Sequence, residues 1–345
     1  MNVPTWRDVE THLWDEANRF ILFVKAGDPA RCGTTEWFAE HREPIRHALD
    51  QFGVVFFRGF PADSHRFETM IDAFAADSMT YAGGVTPRSS VHGTVYTATD
   101  APPDLPIVQH HELSYHRQTP RYICFYCDVA PTAGGATPFS DGRRIGRTLE
   151  AAAPRMIDKL EQQGVLFVRN YNEANFKGWR EAWQVSDRAE LELLLREANV
   201  EWTWMTDEWL QTRQRLPAVV RDPSSGARIV FSCIHLWHRS YVTKMNASIG
   251  VPLPDDPAKQ PFATFFGDGS PIPDELISLM HETYVEQMVA IPYQPNDFIV
   301  VNNLLVTHGR QPYVAPRKIY VTMREKVNMT DPVFCQPIME ERRYG

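Results

Sequence analysis

The chain has 345 residues, of which 43% are hydrophobic and 23% charged, and its formal net charge is −8. This is the composition of a globular protein with a sizeable core, and the lack of a basic surplus argues against a nucleic-acid partner. No apolar run approaches the roughly 18 residues of a membrane span, and the N-terminal residues lack the pattern of a secretory signal.

The five cysteines are an odd number, which together with these features predicts a cytoplasmic protein with reduced thiols. Cys124 and Cys127 form a CxxC in RYICFYCDV, where a buried structural role is expected.

The first part of the sequence predicts helices on either side of one short strand. Residues 1–52 are expected to be helical, because apolar residues recur every three or four positions in TTEWFAEHREPIRHALDQFG and Gly53 ends the pattern. VVFF (54–57) has the composition of a buried strand, and SHRFETMIDAFAAD (64–77) that of a second helix. Residues 82–106 are rich in Gly, Pro, Ser and Thr, which predicts a long loop or short strands.

The remainder alternates between strand and helix patterns. Short strands are expected over residues 108–141, followed by helices as far as residue 163 with a break near Pro154. Residues from about 170 to 225 are rich in Trp and charged side chains, and their tryptophans either form a lid over a substrate or pack against the core. RIVFSCIHLW predicts a strand and PDELISLMHETYVEQMVAI an amphipathic helix. DFIVVNNLLVTHGR and RKIYVTMREKV predict two strands joined by a turn.

These patterns predict a mainly β protein with helices, of the α+β class. Because strands lie on both sides of a long insertion, the expected core is an antiparallel barrel or jelly roll, a double-stranded β-helix of the cupin-like kind. No linker or internal repeat interrupts the chain, so one domain is expected over residues 1–345. It is divided into a helical region at about 1–52, a core at about 53–141 and 226–327, and a helical or lid insertion at about 142–225.

The segment VQHHELSYH concentrates three histidines and a glutamate in nine residues. In a strand, residues i and i+2 project from the same face, so His110 and Glu112 are expected to point together and His111 to point away. A second triplet, His41-Arg42-Glu43, lies in a helical pattern where positions i and i+2 diverge. The triplet at 110–112 is therefore the better metal candidate, although a polar strand edge remains the alternative.

A metal site of two histidines and one carboxylate needs a third ligand from a distant strand. His308, at the end of an apolar strand pattern, is the best candidate. Arg317 follows nine residues later and is placed to pair with the far carboxylate of a metal-bound dicarboxylate. The alternative is that Arg317 is an ordinary solvated residue of a hairpin.

At this point the motifs resemble those of the Fe(II)/2-oxoglutarate-dependent oxygenases of the TauD/TfdA superfamily, especially the clavaminate-synthase-like and SyrP-like branch. The family pattern is a His-x-Glu followed by Ser-Tyr, a Gly-Gly-x-Thr-Pro, and much later an Asn before His-Gly-Arg. The chain matches it with HHELSY at 110–115, GGATPFSDGR at 134–143 and NNLLVTHGRQPY at 302–313. Weaker similarity, from about residue 50 to 325, covers VVFFRGFP, YAGGVTPRSSVHGTVYTATDAPP and GDGSPIPDELI.

The resemblance implies that His110, Glu112 and His308 bind Fe(II), with 2-oxoglutarate and O2 as co-substrates. It also implies that Thr137 and Arg317 hold the far carboxylate of 2-oxoglutarate. The usual Asp-Asn before the distal histidine is Asn302-Asn303 here, and a second arginine found in some relatives is Val321. Lys318, Arg310 and Arg324 are therefore alternative basic partners for the co-substrate.

Less specific expectations concern the residues around the site. Arg88 and Gln109 are candidates to line a substrate pocket, although turn or surface positions are common for both residue types, and Asn303 is a candidate to orient the iron site. His111 and His116 are expected to be structural or solvent-facing.

Glu112 occupies a position where halogenating relatives have a small residue, so the resemblance implies hydroxylation, or desaturation or epoxidation, of an amino-acid-like small molecule. That substrate is either free or tethered to a carrier protein, and a homo-oligomer is left open. The alternatives of another class are a zinc hydrolase using the same ligands and a non-catalytic binding protein on the same fold.

Overall fold

A computed structural model describes residues 2–79, 89–99, 101–173, 177–248, 253–254 and 259–335. Its largest sheet has eight strands, and all neighbours pair antiparallel except β2 (Ile21–Ala26) and β3 (Val54–Arg58), which are parallel. In spatial order the strands are β1 (Val9–Leu13), β2 (Ile21–Ala26), β3 (Val54–Arg58), β17 (Phe298–Asn302), β7 (Gln118–Val129), β20 (Lys318–Asn328), β5 (Val95–Thr97) and β4 (Ser90–His92).

A second sheet of four strands shares a hydrophobic core with the first. Phe125 and Ile299 of the large sheet belong to one buried cluster with Phe139 and Val306 of the small one. Within the described residues the strands form separate sheets and no closed barrel, so the jelly-roll alternative for this mixed α+β fold is confirmed. The order of the small sheet is β16 (Val289–Ile291), β9 (Thr137–Asp141), β18 (Val306–Arg310) and β6 (Ile107–His110), and a separate pair joins β8 (Ala133–Gly134) to β19 (Tyr313–Val314).

The N-terminal region differs from the prediction because its first part is β structure. β1 and β2 form a hairpin, and β2 then pairs in parallel with β3. This long-range pairing overrides the local helical pattern, because apolar side chains of β2 become buried against the sheet. Helices pack on the outer face of the large sheet around a second apolar cluster. They are α1 (Pro29–Cys32), α2 (Thr35–Glu40), α3 (Arg42–Gln51) and α4 (Ser64–Phe74).

The insertion is a mixture of helix and sheet, so the prediction of a helical insertion was wrong in part. The predicted break at Pro154 separates α5 (Gly142–Ala152) from α6 (Pro154–Gln163), as expected. The remaining helices are short, namely α7 (Trp179–Trp183) and α8 (Arg188–Glu197). A third sheet contains β11 (Glu201–Trp204), β12 (Leu210–Leu216), β10 (Val165–Tyr171) and β15 (Phe262–Phe266), while β13 (Val219–Arg221) pairs with β14 (Arg228–Val230).

The tryptophans of the insertion pack on this third sheet. Trp179 is 1% exposed inside a cluster with Tyr171 and Leu210, and Trp202 and Trp204 pack against the same cluster. Alternate residues of β11 point to one face of the sheet, which places both of its tryptophans together. These contacts support the packing role.

The C-terminal half contains the predicted amphipathic helix as α11 (Asp274–Gln287). The strand expected over RIVFSCIHLW ends early, at β14, and is followed by α9 (Ile234–Trp237) and α10 (Arg239–Ser248). Two strands were expected at the end of the chain, and the structure has three in these segments. The first expected strand is divided into β17 and β18 by a tight turn at residues 303–305, and the second is β20.

All five cysteines are buried and free. Burial raises the pKa of the thiols of Cys124 and Cys127 to about 12, so the structural interpretation of the CxxC is confirmed. Among the described residues, every helix is too short or too polar to span a membrane.

Candidate metal centre

Three side chains converge where the two jelly-roll sheets meet. His110 and His308 pair across β6 and β18, and Gly309 allows these strands to approach, because a Cβ there would lie 2.5 Å from the Ile107 carbonyl oxygen. The donor atoms of His110, Glu112 and His308 all lie within 4.8 Å of one another. His308 Nε2 is 3.4 Å from a Glu112 carboxylate oxygen. The three predicted ligands therefore form one group.

Glu112 reaches this group by a different route from the one predicted. β6 ends at His110, and residues 112–115 form a turn in which Leu113 has a φ of 53°. The expectation that His110 and Glu112 share one face of a strand was therefore wrong. The turn, not the two-residue period of a strand, directs the carboxylate toward the histidines.

The donor set fits a divalent transition metal. His110 Nδ1 lies 2.9 Å from the Val108 carbonyl oxygen. Because a carbonyl only accepts, Nδ1 carries the proton and Nε2 carries the lone pair that a metal needs. Glu112 and His308 are almost fully buried, and a cation bound between such groups offsets the cost of burying the carboxylate. Two imidazoles and one carboxylate are the facial set that leaves three positions open on iron.

Asn303 holds the backbone of the turn that carries Glu112. Its side-chain oxygen accepts the Glu112 N–H (2.7 Å), and its side-chain nitrogen donates to the Glu112 carbonyl (3.1 Å). The same nitrogen lies within bonding distance of Thr119 Oγ1 (3.2 Å) and the Pro120 carbonyl (2.9 Å). The Asn303 carbonyl accepts from His111 Nδ1 at 2.6 Å. This buried network joins the turn after β6 to the turn before β18.

His111 is therefore a structural residue. It is 1% exposed, its ring lies against Phe231 at a centroid distance of 4.6 Å, and burial lowers its pKa to about 3. Of the two expectations for His111, the structural one is confirmed and the solvent-facing one was wrong. His116 is partly buried beside Tyr115.

Asn302 replaces the aspartate of the family pattern and contacts another carboxylate instead. Its side-chain nitrogen donates to Asp50 of α3 at 3.1 Å, and Arg121 pairs with the same Asp50 oxygen at 3.0 Å. An aspartate at position 302 would set two carboxylates against each other, which is unfavourable at this distance.

A pocket opens beside the three ligands and contains both predicted co-substrate residues. Thr137, which begins β9, and Arg317 lie on its wall, together with Phe125 and Ile107 on the apolar side. The full lining is Ala98, Thr99, Ile107, His110, Phe125, Thr137, His308, Gly309, Arg310 and Arg317.

Arg317 is held by the Gly-Gly motif that precedes Thr137. Its Nε donates to the Gly135 carbonyl at 2.9 Å. Gly135 has a φ of 69°, and a Cβ there would lie 3.0 Å from Arg317 Cδ, so only glycine accommodates both the turn and the arginine. In the described part of the chain, no carboxylate forms an ion pair with Arg317.

The alternative basic residues have other partners. Lys318 pairs with Asp128 at 3.2 Å and Arg324 with Asp72 at 2.7 Å, and neither lines the pocket. Arg310 does line it, but its terminal nitrogens donate to the carbonyls of Ala101, Pro102 and Leu105. Among the four candidates, Arg317 is best placed to bind a carboxylate.

Gln109, one of the two candidate substrate residues, does not line this pocket. The Gln109 side chain points away from the ligands and lies 2.6 Å from Ser140 Oγ, because successive strand residues face opposite sides. The prediction that Gln109 lines the pocket was therefore wrong. Arg88 lies outside the described residues.

One residue that contacts the site was missed. Tyr293 is buried, and its hydroxyl lies 2.8 Å from Thr137 Oγ1. It stands in IPYQPND, a proline-containing loop between two strands, and no periodicity or motif marks it. Only the pairing of β16 with β9 brings it to Thr137.

Comparison with known proteins agrees with this geometry. Residues 33–323 match the model of the family "Taurine catabolism dioxygenase TauD, TfdA family". A clavaminate synthase-like protein of Arabidopsis thaliana is 30% identical over 298 residues, 83% of this chain and 87% of that protein. The dapdiamide synthesis protein DdaC of Enterobacter agglomerans is 28% identical over 316 residues, 90% of both.

Solved structures share the fold. PvcB of Pseudomonas aeruginosa superposes with a TM-score of 0.52 at 16% identity, covering 93% of this chain and 92% of that one. A further PvcB structure, described as an Fe, alpha-ketoglutarate dependent oxygenase from an isonitrile synthetic pathway, gives the same score at 17% identity, covering 94% of each chain. The chain therefore belongs to the taurine catabolism dioxygenase TauD, TfdA family, as its motifs predicted, and is a non-haem iron, 2-oxoglutarate-dependent oxygenase.

Proposed function

We propose that the protein hydroxylates an unactivated C–H bond of a small, polar, amino-acid-like substrate, with His110, Glu112 and His308 holding the iron. Thr137 and Arg317 would hold the far carboxylate of 2-oxoglutarate. The observation that carries the proposal is that His110, His308, Thr137 and Arg317 line one pocket, with the Glu112 carboxylate grouped with the two histidines.

The electrostatics of the pocket favour a dianion. Burial lowers the pKa of the Arg317 guanidinium, and burial together with the neighbouring Arg317 charge lowers that of Arg310. Both groups stay protonated, since arginine has a very high intrinsic pKa. Two buried positive charges close to each other are unfavourable alone, and a bound dicarboxylate offsets this repulsion.

Each protein group has a separate task in the proposed reaction. Bound iron with 2-oxoglutarate and O2 supplies the oxidant, as 2-oxoglutarate is converted to succinate and CO2. His110 keeps its lone pair toward the metal because its other nitrogen is bonded to the Val108 carbonyl. Arg317 and Thr137 orient the co-substrate, while Ile107 and Phe125 make one wall of the pocket apolar and limit access of water.

Two observations support the reaction type and the substrate class. Glu112 fills the ligand position that an added halide would need, which favours hydroxylation over halogenation. The relatives include a clavaminate synthase-like protein and a dapdiamide synthesis protein. Their names support a biosynthetic substrate related to amino acids, either free or attached to a carrier protein.

Anaerobic optical titration with Fe(II) and 2-oxoglutarate tests the site. Chelation of iron by the 2-oxo acid is expected to give a weak visible charge-transfer band, absent in His110→Ala and requiring more 2-oxoglutarate in Arg317→Ala. Lys318→Ala is the matched control, because Lys318 is adjacent but exposed and pairs with Asp128. The absence of a band in the wild-type protein would refute the proposed site and favour a zinc or binding role.

Succinate release then tests the substrate. Amino acids and their carrier-bound thioesters are screened for stimulation of 2-oxoglutarate turnover, and mass spectrometry of the product follows. A mass increase of one oxygen supports hydroxylation, whereas a loss of two hydrogens would show desaturation. An alkene substrate that gains one oxygen would show epoxidation.

A further inference from the structure

Tyr293 stands directly behind Thr137, because of strand register. Ile291 at the end of β16 pairs with Thr137 at the start of β9. Tyr293, two residues after Ile291, therefore lies next to Thr137. Its hydroxyl lies 2.8 Å from Thr137 Oγ1. Among the described residues, Thr137 is the only hydrogen-bond partner of this hydroxyl.

The direction of this hydrogen bond follows from which residue faces the pocket. Two hydroxyl groups have two protons, and the bond between them uses one. Thr137 lines the pocket and Tyr293 does not. If Tyr293 donates to Thr137, the remaining proton belongs to Thr137 and can point into the pocket. If Thr137 donated to Tyr293, the wall of the pocket would present only an acceptor to a carboxylate.

The environment favours Tyr293 as the donor. Tyr293 is 7% exposed, and burial raises the pKa of its phenol above the ordinary value, so the hydroxyl keeps its proton. A phenol is also a stronger donor than an aliphatic alcohol. Arg317 lies on the same wall with its Nε bonded to the Gly135 carbonyl, so its terminal nitrogens remain to donate to a second carboxylate oxygen.

We propose that Tyr293 is a positioning residue for the co-substrate: its O–H donates to Thr137, which turns the Thr137 O–H toward the far carboxylate of the bound 2-oxo acid. This role rests on the proposed function. It makes the site selective, because a 2-oxo acid without a second carboxylate gains nothing from the relay.

The test is the anaerobic Fe(II) titration repeated with two co-substrates. In Tyr293→Phe we expect the Kd of 2-oxoglutarate to rise about 5-fold, the size expected for the loss of one neutral hydrogen bond that orients the Thr137 hydroxyl. The Kd of 2-oxopentanoate, which has the same 2-oxo acid end but no far carboxylate, should be unchanged. The double variant Tyr293→Phe/Thr137→Val should bind 2-oxoglutarate no more weakly than Thr137→Val alone, since the two hydroxyls act through one contact.

Tyr126→Phe is the matched control. It removes another buried tyrosine hydroxyl, one bonded to the Ala62 carbonyl and Asn296 Oδ1 in the separate apolar cluster of the outer face. It should alter the Kd of neither 2-oxo acid. If Tyr293→Phe does not fold, Tyr293→Met takes its place and must show the same selective loss for 2-oxoglutarate.

Three results would overturn the role of Tyr293. These are wild-type binding of 2-oxoglutarate by Tyr293→Phe, an equal loss for both 2-oxo acids, and additive losses in the double variant. The second would show that Tyr293 only packs the wall. A wild-type protein without a charge-transfer band would instead refute the proposed function, and the role of Tyr293 with it.

Discussion

Replacing Asn303 by alanine should weaken both the fold and the metal centre. The Asn303 side chain is fully buried, and its oxygen accepts the Glu112 N–H. Its two amide protons are shared among the Glu112 carbonyl, Thr119 Oγ1 and the Pro120 carbonyl, so the side chain can make three full hydrogen bonds at once. Each such bond contributes about 1 kcal/mol net. The variant should therefore lose about 3 kcal/mol of unfolding free energy, a large fraction of the roughly 5–15 kcal/mol that a domain has.

The effect on metal binding follows from the backbone contacts. Without the amide, the turn at Glu112 loses the groups that hold its N–H and carbonyl, and the carboxylate is no longer directed at His110 and His308. Loss of such an outer contact usually lowers metal affinity about 10- to 100-fold, and we expect a decrease of that size for Fe(II).

Urea denaturation and anaerobic Fe(II) titration measure the two effects separately. Asn302→Ala is the control, because Asn302 bonds Asp50 and the Leu304 N–H and does not touch Glu112. It should lose about 2 kcal/mol and keep its Fe(II) affinity. The reasoning is refuted if Asn303→Ala loses less than about 1 kcal/mol, or if it binds Fe(II) as tightly as Asn302→Ala does.

Three further predictions concern other buried groups of the molecule. The five buried thiols should resist Ellman's reagent in the native protein at about pH 8 and all react in denaturant, because a raised pKa leaves little thiolate; fast labelling of any thiol in the folded chain would contradict this. Burial lowers the pKa of His235 from 6.5 to about 3, so the unfolded state binds a proton between these values that the native state does not. Unfolding free energy should therefore fall as the pH drops below 6.5, by up to about 1.4 kcal/mol per unit. In urea titrations at several pH values, His235→Gln should reduce the slope of unfolding free energy against pH, whereas the exposed His47→Gln should not. Equal slopes for the wild type and His235→Gln would refute this prediction. Arg58 holds the fully buried Asp297 through two contacts of 2.9 and 2.7 Å. Arg58→Met should lower the unfolding free energy by about 3–5 kcal/mol in thermal denaturation at neutral pH. Part of this loss should be recovered at acidic pH, where Asp297 becomes protonated. An unchanged stability would contradict the importance of this pair.

The metal ligands could be predicted from the sequence because their chemistry requires particular residue types in short motifs. His110, Glu112 and His308 stand in HHELSY and THGR, and the Gly-Gly before Thr137 is needed because a Cβ would lie 2.2 Å from the Pro312 carbonyl oxygen at Gly134 and 3.0 Å from Arg317 Cδ at Gly135. The amphipathic helix α11 and the break at Pro154 were also predictable, since periodicity and proline act locally.

Other features depend on partners far away in the chain. The strands β1 and β2 form because β2 pairs with β3, and the sheet inside the insertion forms around β10, so neither is encoded by a local period alone. Glu112 points at the metal site through a turn held by Asn303, 191 residues away. Gln109, although next to a ligand, faces the opposite side of its strand.

The sequence by itself determined the family, the donor atoms and the glycines, because metal chemistry and backbone sterics limit which residues can serve. Tertiary structure alone decided that the terminal nitrogens of Arg310 donate to backbone carbonyls, which leaves Arg317 as the pocket arginine best placed for a carboxylate, and that Tyr293 reaches Thr137. The physical reason is that hydrogen-bond direction and burial arise only when distant strands come into register. A short sequence motif does not specify which distant residues will lie next to it.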